Sequence, residues 1–122
     1  MGDLLDEDSQ LVLEMRSRFK DEIPEMIQRL EEDLLDYERY RKPTKVDNIL
    51  RVLHSIKGSA GSLELPSLVE FLNSFEFLSE TLKSSTHNLE TVFFYKDSLE
   101  ALIQEIDTEE VRDIELQVVL QG

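Results

Sequence analysis

Val46-Asp47-Asn48-Ile49-Leu50-Arg51-Val52-Leu53-His54-Ser55-Ile56-Lys57-Gly58-Ser59-Ala60-Gly61-Ser62 decides the fold class. Its apolar residues, Val46, Ile49, Leu50, Leu53, Ile56 and Ala60, return every three or four positions. That is the period of a helix, not the alternation of a strand. One side is apolar and the other carries charge, so the helix has to bury one face against partners. The spacing predicts a helix from about Lys45 to Ser62, with Gly61 in its last turn. Lys42-Pro43-Thr44 is a break before it. Pro43 ends the preceding segment, and Thr44 is a candidate cap with Asp47 three residues on.

The same period extends in both directions. Upstream, Leu11, Met15, Phe19, Ile23, Met26, Ile27, Leu30, Leu34 and Tyr37 form a stripe that predicts helix from about Ser9 to Arg39. Pro24 lies inside it, which predicts a kink, or two consecutive helices meeting near residues 20–24 with Asp21 capping the second. Downstream, Pro66 suits the first turn of a third helix. Leu68, Phe71, Leu72, Phe75, Leu78 and Leu82 mark its buried face to about Lys83. After the polar stretch Ser84-Ser85-Thr86-His87-Asn88, a fourth helix is expected from about Leu89 to Ile106. It should bury Val92, Leu99, Leu102, Ile103 and Ile106, with part of the run Phe93-Phe94-Tyr95. A last short helix is expected from Thr108 to Leu120. Short connections between amphipathic helices favour antiparallel neighbours, so the expected fold is all-α, an up-down four-helix bundle with an additional terminal helix. Residues 1–122 read as one domain, with the core at about 10–106 and residues 107–122 as extra helix or tail.

Composition narrows the function. The chain has 27 acidic and 13 basic residues, a formal net charge of -14. Such a surface repels nucleic-acid phosphate and anionic headgroups, so neither nucleic acid nor membrane is an expected partner. There is no cysteine, which removes disulfides and thiolate metal sites. No apolar run approaches the roughly 20 residues of a membrane helix, and the acidic start MGDLLDEDSQ lacks the basic region of a signal peptide, so a cytoplasmic location is expected.

His54 falls to one side of the buried stripe at about 100° per residue, exposed while Leu53 is buried. Lys57 at i+3 and Gly58 at i+4 adjoin it, and Gly61 follows on the same line. A glycine in a helix interior costs about 1 kcal/mol against alanine. Small residues around one histidine leave an open strip where another backbone or a phosphoryl group can approach. A neutral imidazole nitrogen is a good nucleophile. Lys57 supplies a cation for phosphoryl oxygens. A carboxylate on the other ring N–H would fix the tautomer and raise nucleophilicity. Taken singly, each residue is as consistent with a solvated surface position or with close helix packing.

Together, His54-Ser55-Ile56-Lys57-Gly58-Ser59-Ala60-Gly61 resembles the signature of histidine phosphotransfer (HPt) domains. The stretch LHSIKGSAGSLELPSLVEFLNSFEFL looks most like the N-terminal phosphotransfer domain of chemotaxis histidine kinases (CheA), over roughly residues 10–106. The resemblance implies that His54 is phosphorylated and that Lys57 is its electrostatic neighbour. Gly58 would be the steric gap for the partner, and Glu76 on the next helix would orient the imidazole. A family position often held by histidine is Asn73 here. The implied partners are a histidine kinase catalytic domain, in cis or trans, as donor and a response-regulator receiver domain as acceptor. No cofactor is implied on this chain, since the magnesium of aspartyl transfer would sit on the receiver.

There is no glycine-rich ATP lid or Walker-type loop, so the expectation is a phosphocarrier rather than an enzyme, either free-standing or the substrate domain of a larger kinase. The alternative is an interaction module that docks receivers without accepting phosphate. A hydrolase finds little support, because His87 is the only other histidine and is expected in a loop or helix cap. Docking is expected on the flank of the histidine helix and the first long helix, with apolar anchors near Ile23, Ile27 or Leu63.

Overall fold

The computed structural model describes residues 7–85 and 87–106. Four helices form: α1 Glu7–Tyr40, α2 Pro43–Ser62, α3 Pro66–Glu80 and α4 Leu89–Gln104, with a 3-10 turn at Thr81–Lys83 after α3. The expected helix from Thr108 to Leu120 lies outside the described residues. Each helix packs on the next, and α4 closes against α1. Three tertiary hydrogen bonds give the directions. Arg16, near the start of α1, meets the end of α2 at Leu63. Tyr37, near its end, donates to Leu82 just past α3. Lys20 donates to Ile106 just past α4. α2 and α4 therefore run against α1 and α3 runs with it, the expected up-down order.

The core is the predicted stripe made continuous. Leu30, Leu34, Val46, Ile49, Leu53, Ile56, Leu72, Phe75, Val92 and Leu99 are fully buried. Phe71 and Tyr95 stack at 5.3 Å between centroids. Phe75 meets both rings edge-on, at 6.2 Å and 5.7 Å. This aromatic cluster ties α3 to α4 through Phe75, the residue before Glu76.

Several local expectations are corrected. α1 is one unbroken helix through Pro24, with no second helix starting there and no cap at Asp21. An interior proline costs about 3 kcal/mol. Here Phe19, Ile23, Ile27, Leu30 and Leu34 stay in one buried register on both sides of it, and Pro24 itself is exposed, so packing outweighs the lost bond. α2 starts at Pro43 rather than Lys45. Lys42 is its N-cap, no side chain caps it, and Thr44 lies within its first turn. Proline fits there because its missing N–H would have no helical partner. Leu11 and Met15 are exposed, at the N-terminal end of the α1 stripe.

Two helix ends use a left-handed residue that is not glycine. Arg41 has φ 55° and Glu64 has φ 59°. Beside the first, Arg41 N donates to Tyr37 O at 2.8 Å. Beside the second, Leu65 N donates to Ala60 O at 3.1 Å. These are the C-terminal closures that usually take glycine. The end of α2 gains a second support, since the Arg16 guanidinium donates to Leu63 O and Glu64 O, each at 2.9 Å. A buried cation on the last carbonyls of the histidine helix also opposes the negative end of its dipole.

Lys96 occupies a core register of α4, between Val92 and Leu99, and is 5% exposed. Its ammonium reaches Asp97 at 2.7 Å, Glu100 at 3.1 Å and Glu31 at 3.6 Å. Burial pulls its pKa down, but the hydrogen bonds to Asp97 and Glu100 and the charges of Glu100 and Glu31 outweigh burial, so the net shift is upward. A raised pKa means stability that is complete below the ordinary lysine value of 10.5 and is lost as pH climbs through the folded value. A Lys96→Met chain should therefore show a flatter loss of stability at alkaline pH than the parent, in urea titrations on both sides of that value.

Candidate functional site

The histidine helix presents its residues as the periodicity requires. Leu53 and Ile56 are fully buried, while the His54 side chain, between them in sequence, is 78% exposed. Its Nδ1 lies 3.7 Å from Glu76 Oε1 on α3. That is longer than a hydrogen bond. Glu76 Oε1 is buried and has no other hydrogen-bond partner. An unsatisfied buried carboxylate oxygen is costly and strongly prefers a donor. With Nδ1 turned to Glu76, Nε2 is the nitrogen left facing outward.

The other oxygen is held. Lys57 Nζ bonds Glu76 Oε2 at 3.0 Å and Asn73 Oδ1 at 3.0 Å. The lysine therefore bridges two α3 residues one turn apart and fixes which carboxylate oxygen faces the ring. In this structure its ammonium lies on Glu76 and Asn73. Asn73, a departure from the HPt pattern, is an acceptor in this network. The face shared by His54, Lys57, Asn73 and Glu76 is set where α2 and α3 meet, through the tight turn closed by Leu65 N and Ala60 O.

Gly58 and Gly61 open onto space, since a Cβ built on either meets nothing within 4 Å. Neither is required by α2 packing. Gly58→Ala should therefore stabilise the free chain by about 0.5–1 kcal/mol. If a partner needs that space, the same change should slow phosphoryl transfer by roughly tenfold through misplacement at the reacting atoms. Urea denaturation and a transfer time course on one preparation would check both halves.

Ile23, Ile27 and Leu63, near which apolar anchors are expected, are each 3% exposed and belong to the core. They complete the α1 and α2 stripes at three- and four-residue spacing. An open groove beside Ile23 and Leu63 is lined also by Met15 and Met26. On the α3 side, Phe77 is 76% exposed and shares a shallow groove with Leu50, His54 and Glu76. Its position directly after Glu76 was available from the sequence, but its exposure depends on the register of α3. His87 is exposed, and its backbone N–H donates to Ser85 Oγ at 3.2 Å. Among the described residues, no group of three or more His, Cys, Asp and Glu could hold a metal ion. Among them also, no helix is long and apolar enough to cross a membrane.

The all-α bundle thus holds an exposed histidine with a carboxylate oxygen 3.7 Å from its Nδ1 and glycines open to space on the same helix. The Hpt domain family matches residues 14–119, and the chain belongs to that family. Hpt domains are phosphocarriers rather than catalytic enzymes, and they serve two-component and chemotaxis signalling. The chain is similar to the chemotaxis protein CheA of Rhizobium meliloti (strain 1021), with 36% identity over 73 residues, 59% of this chain and 10% of that protein. It thus spans about a tenth of the length of the curated relative it matches. No solved structure matches the chain.

Proposed function

We propose that His54 carries the phosphoryl group and passes it to the aspartate of a response-regulator receiver. The donor is a histidine kinase catalytic domain, in cis or trans. In the first step Nε2 attacks the γ-phosphorus of ATP, the N–P bond forms as the bond to the β-phosphate oxygen breaks, and ADP leaves. In the second, the receiver carboxylate attacks phosphorus, the N–P bond breaks, and a neutral imidazole is restored. Magnesium for that step belongs to the receiver, and no cofactor is assigned to this chain.

The observation that carries this reading is the position of Glu76 Oε1, buried, unpaired and 3.7 Å from Nδ1 of an otherwise exposed histidine. A carboxylate there accepts a hydrogen bond from Nδ1–H and leaves the lone pair on Nε2, where a partner can reach it. Lys57 holds Glu76 in place and offsets its charge beside an incoming phosphoryl group. Gly58 leaves room for the partner. A cytoplasmic location follows from the kinase and receiver partners proposed.

The test uses a chemotaxis-type kinase catalytic domain charged with labelled ATP and a receiver from the same organism. The chain should take up acid-labile, base-stable label and lose it when receiver and magnesium are added. Receiver binding without discharge would instead support a docking module that does not transfer phosphate.

A further inference from the structure

The turn joining α1 to α2 carries charge opposite to that of the chain. Arg39, Tyr40, Arg41 and Lys42 are consecutive and all exposed, in a protein of net charge -14. Other cations at this end are paired. Lys45 bridges Asp33 and Asp36 at 3.6 Å and 3.3 Å, and Lys83 bridges Asp47 and Glu80 at 2.9 Å and 3.4 Å. Arg39, Arg41 and Lys42 have no carboxylate partner among the described residues. They sit on aromatic rings instead. Arg39 lies 5.9 Å and Lys42 6.0 Å from the centre of the Tyr40 ring, and Arg41 lies 5.7 Å from that of Tyr37. Exposed contacts of this kind contribute about 0.5–1 kcal/mol each and leave the N–H edges free for an anion. Glu38 is the exposed acid next to them in sequence, so the turn is net positive.

The rest of the molecule restricts which anion fits. A membrane or a nucleic-acid duplex is an extended negative surface, and it would bring the acidic remainder of the chain within the Debye length of about 8 Å. A short acidic segment of a protein meets the turn alone. Tyr40, 58% exposed between two cations, offers such a segment an apolar surface as well. We propose that the α1–α2 turn is a docking point for a short acidic protein segment, with Arg39, Arg41 and Lys42 pairing its carboxylates and Tyr40 packing on its apolar atoms. The turn precedes His54 by eleven residues of helix, about 16 Å along α2, so it can be occupied while His54 stays open. The assignment does not depend on the chemistry of His54.

The test is a titration of the isotope-labelled full chain with octaglutamate, read by backbone amide shifts. Saturable shifts confined to about residues 37–45 are expected, with affinity falling roughly tenfold from low to high salt. The triple variant Arg39→Glu, Arg41→Glu, Lys42→Glu should lose them. All three residues are exposed, and an unchanged circular dichroism spectrum would show that the fold is intact. Tyr40→Ala should keep the site and weaken it a few-fold. Absent shifts, shifts scattered over the chain, or equal binding by the triple variant would overturn the proposal. Equal or tighter binding to phosphatidylserine vesicles would overturn the choice of a protein segment. Self-association of the chain alone through this turn, seen by sedimentation, would overturn the choice of a separate partner.

Discussion

A His54→Gln chain takes up no acid-labile label from a charged kinase domain, while its fold is unchanged. The side chain is 78% exposed and its nearest ionic contact, to Glu76, is at 3.7 Å, so little packing is lost. Surface changes of this kind stay within about 0.5 kcal/mol. Glutamine keeps a polar group of similar reach but has no nucleophilic nitrogen, so the loss is of chemistry, not of shape. His87→Gln serves as the control, because His87 is exposed in the α3–α4 connection and should label as the parent does. Label retained by His54→Gln would remove His54 from the reaction.

The second large effect is on stability, at the residue before Glu76. Phe75 is fully buried and packs edge-on against Phe71 and Tyr95. Phe75→Ala should cost about 3–5 kcal/mol. A domain of this kind has about 5–15 kcal/mol in total, so the variant should unfold at much lower urea. Phe75 also seats α3 against α4. Where the variant is still folded, the neighbouring Glu76 should lose its fixed position and labelling should slow. A cost below about 1 kcal/mol would mean that the aromatic cluster does not hold α3 in place.

Much of this was legible in the chain itself. Each helix was visible because its buried positions repeat at three and four, and Pro43 and Pro66 fall at the first turns where proline fits. Pro24 does not divide α1 into two helices, because a local rule about one hydrogen bond says nothing of the stripe packed on both sides of it. Lys96 is not legible as a core residue for a related reason. It holds the core register between Val92 and Leu99, but a lysine is not counted as apolar even when its stem is buried and its ammonium is met by three carboxylates.

The site divides in the same way. Exposed His54 beside buried Leu53 follows from 100° per residue, with no tertiary information. The pairing of Lys57 with Asn73 and Glu76 does not follow, since it depends on the axial register of α3 against α2. That register is fixed by backbone bonds at residues 60–65 and by Arg16 from α1. Glu76 could be named only through the family likeness, and Arg16 had no signal because nothing local marks an arginine that will cap a helix 47 residues away.

The central claim is that Glu76 takes Nδ1 and leaves Nε2 to carry phosphorus. Imidazole nitrogen NMR of the isotope-labelled chain, before and after phosphorylation by the kinase domain, tests it most directly. The account predicts the Nδ1–H tautomer in the resting chain and phosphorus on Nε2 of His54 afterwards. Phosphorus on Nδ1, or unchanged imidazole signals in a chain that has taken up label, would contradict it.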